Sequence, residues 1–250
     1  MACAGCFSGA SHSGSVLGTE STLGGIPCYI SAAYGAPDSS PETRPACLLL
    51  TDIFGWRFTN TRLLADRFAA AGFVVYVPDV LQSDAISSPD SFDRSTFPAW
   101  RARHGDAETL PPALAVASEL RARHTAVYTI GYCFGARYAV LLAQAEKGAP
   151  GAVEAFAVAH PSFVATTDIE AVRAPGLFLL AEVDSAFPEE AVAAARVAMA
   201  KTGLPHEFRG PYPGTVHGFA VRGSEDDPRV VAAREDALQG AIDFFRARGQ

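Results

Sequence analysis

Apolar and polar positions follow two rhythms that alternate along most of the chain. Apolar runs at 46–51, 73–77, 127–130 and 176–181 are the pattern of strands covered on both faces, and 152–159, apolar but for Glu154, also reads as a strand. Between them, apolar residues recur at helical spacing. Leu63, Leu64, Phe68 and Ala71 mark a helix over 59–71 that stops at Gly72, and further helices are predicted at 108–123, 136–146, 189–201 and 228–248. Residues 22–33 predict a hairpin turned at Gly24-Gly25, and 206–208 a short strand. Repeated strand–helix units predict an α/β fold, a mostly parallel central sheet with helices on both faces in a single domain. Sites in such sheets gather beyond the C-terminal ends of the strands.

Two stretches break the rhythm. Residues 1–20, rich in Gly, Ser and Ala, read as an irregular leader to a domain over 21–250, and a Pro/Asp/Ser-rich loop occupies 35–45. Residues 81–111 are polar and Pro-containing, with Phe92, Phe97 and Trp100 scattered through them. A connection of that length is expected to be a flap over the site, the alternative being a surface excursion.

Composition narrows the function. With 250 residues, 49% hydrophobic and 19% charged, the chain can bury one substantial core. The net charge of −7 and the lack of a Lys/Arg cluster argue against nucleic acid as a partner. No apolar run approaches membrane-spanning length, and the N-terminus has no signal-peptide pattern. Five cysteines without framework spacing fit a reducing, cytoplasmic setting. Cys3-x-x-Cys6 has no second Cys/His pair at matching spacing, so the expectation is incidental thiols and no metal site. Nothing in the sequence reports the oligomeric state.

The chemistry centres on residues 127–137. An apolar run enters Gly131-Tyr-Cys133-Phe-Gly135 and a helix follows, the layout of a nucleophile elbow with Cys133 where serine is usual. Glycines flank the nucleophile because strand and helix cross too closely for side chains, and the helix start aims free amides at the sulfur. The plainer alternative is a buried Cys in a glycine turn. Downstream, Asp184 follows a strand and His217 lies in a loop before the last helix, giving the α/β-hydrolase order of nucleophile, acid and His. Glu182 is the rival acid and His160 the competing His, although His160 falls out of order. For the oxyanion, one amide is expected from Phe134 and a second from Ile53 in the loop Thr51-Asp52-Ile53-Phe54-Gly55.

Gly131-Tyr-Cys-Phe-Gly-Ala136, Asp52-Ile-Phe-Gly55, Pro78-Asp79, Asp184 and His217-Gly-Phe219 together resemble the dienelactone hydrolase family, and the leader resembles that of its eukaryotic, especially fungal, members. The resemblance implies an α/β-hydrolase fold with a Cys133-His217-Asp184 triad that hydrolyses small lactones or activated esters without a cofactor. It implies that Asp52 interacts with the resting thiol, although Asp is a methylene shorter than the Glu common in the family. It also implies that Arg222 binds a substrate carboxylate, the alternative being a surface arginine paired with Glu225, Asp226 or Asp227. The loop after Pro78-Asp79 lacks a second arginine, so carboxylate selectivity is expected to be weak. Trp56, Phe187 and Phe219 are expected to line the apolar remainder, with Tyr132 also among the substrate-binding residues. Rival readings are a broad carboxylesterase or thioesterase on the same triad, a non-hydrolytic isomerase or ring-rearranging enzyme, and a non-catalytic binding protein.

Overall fold

The architecture comes from a computed structural model, which describes residues 7–32, 43–87, 89 and 93–249. Cys3, Cys6, Phe92 and most of the 35–45 loop lie outside the described residues. The strands are β1 (Thr19–Leu23), β2 (Ile26–Ala32), β3 (Ala46–Leu50), β4 (Val74–Pro78), β5 (Val127–Tyr132), β6 (Ala155–Ala159), β7 (Gly176–Val183) and β8 (His206–Val216). They form one sheet in the order β1-β2-β4-β3-β5-β6-β7-β8. The β1–β2 hairpin joins β4 antiparallel, and the other neighbours run parallel.

The helices are α1 (Thr59–Ala70), α2 (Phe97–Arg103), α3 (Asp106–Arg123), α4 (Gly135–Leu142), α5 (Thr166–Glu170), α6 (Glu189–Thr202), α7 (Phe219–Arg222) and α8 (Pro228–Arg246). The continuous apolar strands divide by alternation between two cores. On β3, Ala46, Leu48 and Leu50 face the core shared with α3, α4 and α6, whereas Cys47 and Leu49 face the core shared with α1 and α8. Covering both faces is what makes these strands apolar at every position.

Among the departures from the pattern's expectation, α4 ends at Leu142, β6 begins only at Ala155, and the short helices α2, α5 and α7 are additions. β7 runs on to Val183, so Glu182 is a strand residue and Asp184 is the first residue beyond the strand. β8 spans 11 residues rather than three; Pro211, Pro213 and positive-φ Gly210 and Gly214 hid it, and its register against β7 shifts twice. α3 begins at Asp106 and carries Pro111 and Pro112. Pro112 cannot donate to the Glu108 carbonyl, and Gln82 Nε2 does so instead at 2.9 Å.

The excursion after β4 is packed rather than polar. Phe97 and Trp100 are buried, Trp100 stacks on Phe97 and His104, and its indole N–H donates to the Asp84 carbonyl at 2.7 Å. The leader, though irregular, is also tied down. Phe7 packs edge-on against Phe97, Asn60 Nδ2 donates to the carbonyls of Ala10 and Val221 (2.9 Å each), and the His12 amide donates to Asn60 Oδ1 at 2.8 Å.

Candidate active site

Steric demands build the elbow between β5 and α4. A Cβ on Gly131 would lie 2.5 Å from the Gly135 carbonyl oxygen, and one on Gly135 would lie 2.5 Å from the Leu50 carbonyl carbon. Both obstacles are backbone, so only glycine fits at either position. Between them Cys133 takes φ +50°, a left-handed conformation uncommon for a side-chain-bearing residue. Its amide donates to the Ala159 carbonyl at 3.1 Å, and its carbonyl accepts from Ala136 (3.2 Å) and Ser162 (3.0 Å). The turn is thereby fixed to both α4 and the end of β6. Cys133 is fully buried.

Asp184 and His217 reach the same region from β7 and β8. The two Asp184 oxygens lie 2.8 and 2.9 Å from His217 Nδ1, and Oδ1 also accepts from the amides of Ala186 (2.9 Å) and Phe187 (3.2 Å). A carboxylate on that side places the proton on Nδ1, leaving the Nε2 lone pair toward the elbow. There the Ser162 hydroxyl intervenes, 3.5 Å from Nε2 and 3.6 Å from Cys133 Sγ. The rival acid is engaged elsewhere: Glu182 Oε2 accepts from the Gly214 amide at 2.7 Å.

The competing His160 lies beside His217 rather than replacing it. The two rings meet edge to face with centroids 5.0 Å apart, and both His160 ring nitrogens are buried without a partner. Burial, then the charges of His217 and Arg222, hold its proton affinity well below the ordinary histidine value, so the ring is neutral. Burial acts the other way on the thiols of β2 and β3, pushing Cys28 up to about 12 and Cys47 higher still.

Neither the Phe134 nor the Ile53 amide has an acceptor among the described residues. The Ile53 loop is held by Gly55 N–H to the Asp52 carbonyl (3.2 Å) and by Ile86 N–H to the Ile53 carbonyl (2.9 Å). Trp100 packs edge-on against Phe134 at 5.4 Å, so the excursion touches both residues that carry these amides.

The expected substrate contacts divide between the site and the cores. Arg222 is neither on the surface nor paired with Glu225, Asp226 or Asp227. The positive φ of Gly218 turns α7 inward, so Arg222 is buried with Nη1 on Asp52 Oδ2, Nε donating to the Ser8 carbonyl at 3.0 Å, and its guanidinium 4.9 Å above the Phe54 ring. Asp52 Oδ1 accepts from the Phe54 amide at 3.0 Å, so its carboxylate faces Arg222 and its own loop. Tyr132 points to the opposite face of the sheet from Cys133, as alternation along β5 requires. Trp56 packs in that same far core, beneath the guanidinium groups of Arg57 and Arg62. Phe219 packs against His160 and Tyr212 and, with His217 and Arg222, lines a cavity of about 500 Å³. Phe187 does border a cavity, of about 470 Å³, that also reaches Asp184. Ser162 was not singled out by pattern; its one signal is its place just past a strand end, in the layer where the site residues gather.

This arrangement, a strained Cys elbow facing an Asp–His pair at the C-terminal edge of a mostly parallel sheet, defines an α/β-hydrolase. The dienelactone hydrolase family model matches residues 30–249, and the chain belongs to that family of ester-bond hydrolases. Among its relatives, Hydrolase tropI of Talaromyces stipitatus is 32% identical over 252 residues, covering 96% of this chain and 94% of that protein. Dienlactone hydrolase 1 of Gibberella moniliformis is 31% identical over 260 residues, covering 97% and 94%. A solved structure from Klebsiella pneumoniae, named as a candidate dienelactone hydrolase, superposes with a TM-score of 0.74 at 21% identity, covering 93% of this chain and 99% of that one. Among the described residues, no helix is long and apolar enough to cross a membrane.

Proposed function

We propose that this chain hydrolyses a small lactone, an enol lactone above all, or an activated ester through a covalent thioester on Cys133. The observation that carries the reading is the line Asp184–His217–Ser162–Cys133 ending at a left-handed elbow, with the Phe134 and Ile53 amides left without an acceptor among the described residues. In this mechanism His217, oriented by Asp184, draws the thiol proton, and the thiolate attacks the carbonyl carbon. The π pair moves onto the carbonyl oxygen, which the Phe134 and Ile53 amides receive; one such donor is worth about 10²–10³ in rate. Collapse expels the enolate or alkoxide, which takes the proton from His217. Water, deprotonated by His217, then hydrolyses the thioester. A thiolate is also a good leaving group, so the site suits activated acyl groups better than amides.

The Arg222 guanidinium is paired with the Asp52 carboxylate, so a substrate carboxylate would compete with a protein one for that cation. The neighbouring surfaces, Phe54, Phe134 and Trp100, are aromatic. We therefore assign the preference to neutral, apolar lactones and esters over carboxylated ones. The test is a screen of purified protein on enol lactones, aryl esters and thioesters, each as a carboxylate and as its methyl ester, with Cys133→Ala as control. Turnover that depends on Cys133 and favours the neutral member of each pair supports the reading. A Cys133→Ala rate above about a hundredth of wild type contradicts it, since nucleophile losses are usually far larger.

A further inference from the structure

We propose that Ser162 is a catalytic residue that relays the proton from the Cys133 thiol to His217. The inference rests on the Cys133 reading above and adds a residue to it. The Ser162 hydroxyl reaches both reacting atoms, 3.6 Å from Sγ and 3.5 Å from Nε2. Both separations are at the long end for hydrogen bonds, as is usual in catalytic chains before substrate tightens them.

Local structure holds the hydroxyl there. The Ser162 amide donates to the Cys133 carbonyl at 3.0 Å, and the His160 amide to the Leu179 carbonyl at 3.0 Å, so the turn after β6 is fastened to the elbow and to β7. His160 (φ +37°) and Phe163 (φ +61°) flank it in left-handed conformations, as Cys133 is at +50°. Such residues cost on the order of 1–3 kcal/mol each and persist where the surroundings fix them. Ser162 itself is buried, so its hydroxyl is not turned to bulk water. The His160 ring packs against the His217 ring at a steep angle, with centroids 5.0 Å apart.

The directions of donation follow from Asp184. With the Nδ1 proton on the Asp184 side, Nε2 accepts from the Ser162 O–H, and the Ser162 oxygen accepts from the Cys133 S–H. In the relay the S–H bond breaks as its proton joins Oγ, and the Oγ–H bond breaks as that proton joins Nε2. The S–H electron pair stays on sulfur. The products are a thiolate, an unchanged serine hydroxyl and an imidazolium. Its Nδ1–H lies on Asp184 and its Nε2–H on Ser162.

The experiment is iodoacetamide labelling of Cys133 at pH 7, followed by mass of the Cys133 peptide so that the other thiols do not count, in wild type, Ser162→Ala, Ser162→Thr and His217→Ala. Steady-state kinetics and a solvent proton inventory accompany it. Positioned proton transfer contributes about 10²–10⁴, so Ser162→Ala should label at least about tenfold more slowly and lose kcat by a similar factor with KM little changed. Ser162→Thr, which keeps the hydroxyl, should recover most of both. The wild-type inventory should bow as two protons in flight require, and that of Ser162→Ala should be linear. Labelling of Ser162→Ala at the wild-type rate overturns the relay, as does a linear wild-type inventory, which needs no variant to fold. Activity that survives Cys133→Ala and is lost in Ser162→Ala overturns the parent reading as well and makes Ser162 the nucleophile, a distinct outcome.

Discussion

Removing the Arg222 charge should unfold this protein more readily than any loss at its surface. Both side chains of the Asp52–Arg222 pair are fully buried, and beyond the pair Asp52 has the Phe54 amide at 3.0 Å. Arg222→Met keeps most of the aliphatic volume while leaving a buried carboxylate without its cation. Breaking a buried pair from one side costs about 3–5 kcal/mol. The lost bond to the Ser8 carbonyl adds roughly 1 kcal/mol. At about 2–4 °C per kcal/mol for a domain of this size, Tm should fall by roughly 8–24 °C. Asp52→Asn strands the guanidinium in the same way and should cost a comparable amount. The double variant should lose clearly less than the sum, with a coupling of about 1–3 kcal/mol. Urea unfolding of the four proteins at pH 7 reads all these values. Losses below about 1 kcal/mol in the single variants, or additive losses in the double, would refute the buried-pair argument.

Two further outcomes follow from the same geometry. Gly135→Ala should cost at least about 1–3 kcal/mol and most of the activity, because its Cβ meets the Leu50 carbonyl group, which cannot move without shifting β3; unfolding and turnover measured together check this. His160 is held neutral when folded, with its proton affinity below the ordinary 6.5, so the unfolded chain alone binds a proton there as pH falls. The stability this neutrality supports is complete above about pH 6.5 and declines by about 1.4 kcal/mol per pH unit below it; His160→Phe should flatten the slope between pH 7 and 5.5 by about one proton in urea titrations.

The residues show why some of this was legible in the sequence and some not. The elbow could be read because its two glycines answer to a single steric demand, and strand order supplied Asp184 and His217 from loops far apart in the chain. Continuous apolar strands and helical spacing carried the sheet. β8 escaped because Pro211, Pro213, Gly210 and Gly214 carry turn chemistry, although pairing along β7 overrides it. Trp56 and Tyr132 fall in the far core because strand alternation and core packing set where they point, which closeness to the site in sequence does not show. The direction of Arg222 depends on Gly218 and on the Ser8 carbonyl more than 200 residues away, a relation that no local pattern carries. Ser162 belongs to the same class, since a serine after a strand end is ordinary until Cys133 and His217 are seen on either side of it.

The central claim is that Cys133 carries the acyl group. Rapid acid quench of the protein with its best lactone or aryl ester, followed by peptide mass measurement, tests it directly. The account predicts an acyl adduct on the Cys133 peptide within the first turnover. That adduct should be absent from Cys133→Ala and should accumulate in a variant slowed in deacylation. Full turnover with no adduct on Cys133, or an adduct on Ser162 in its place, would contradict it.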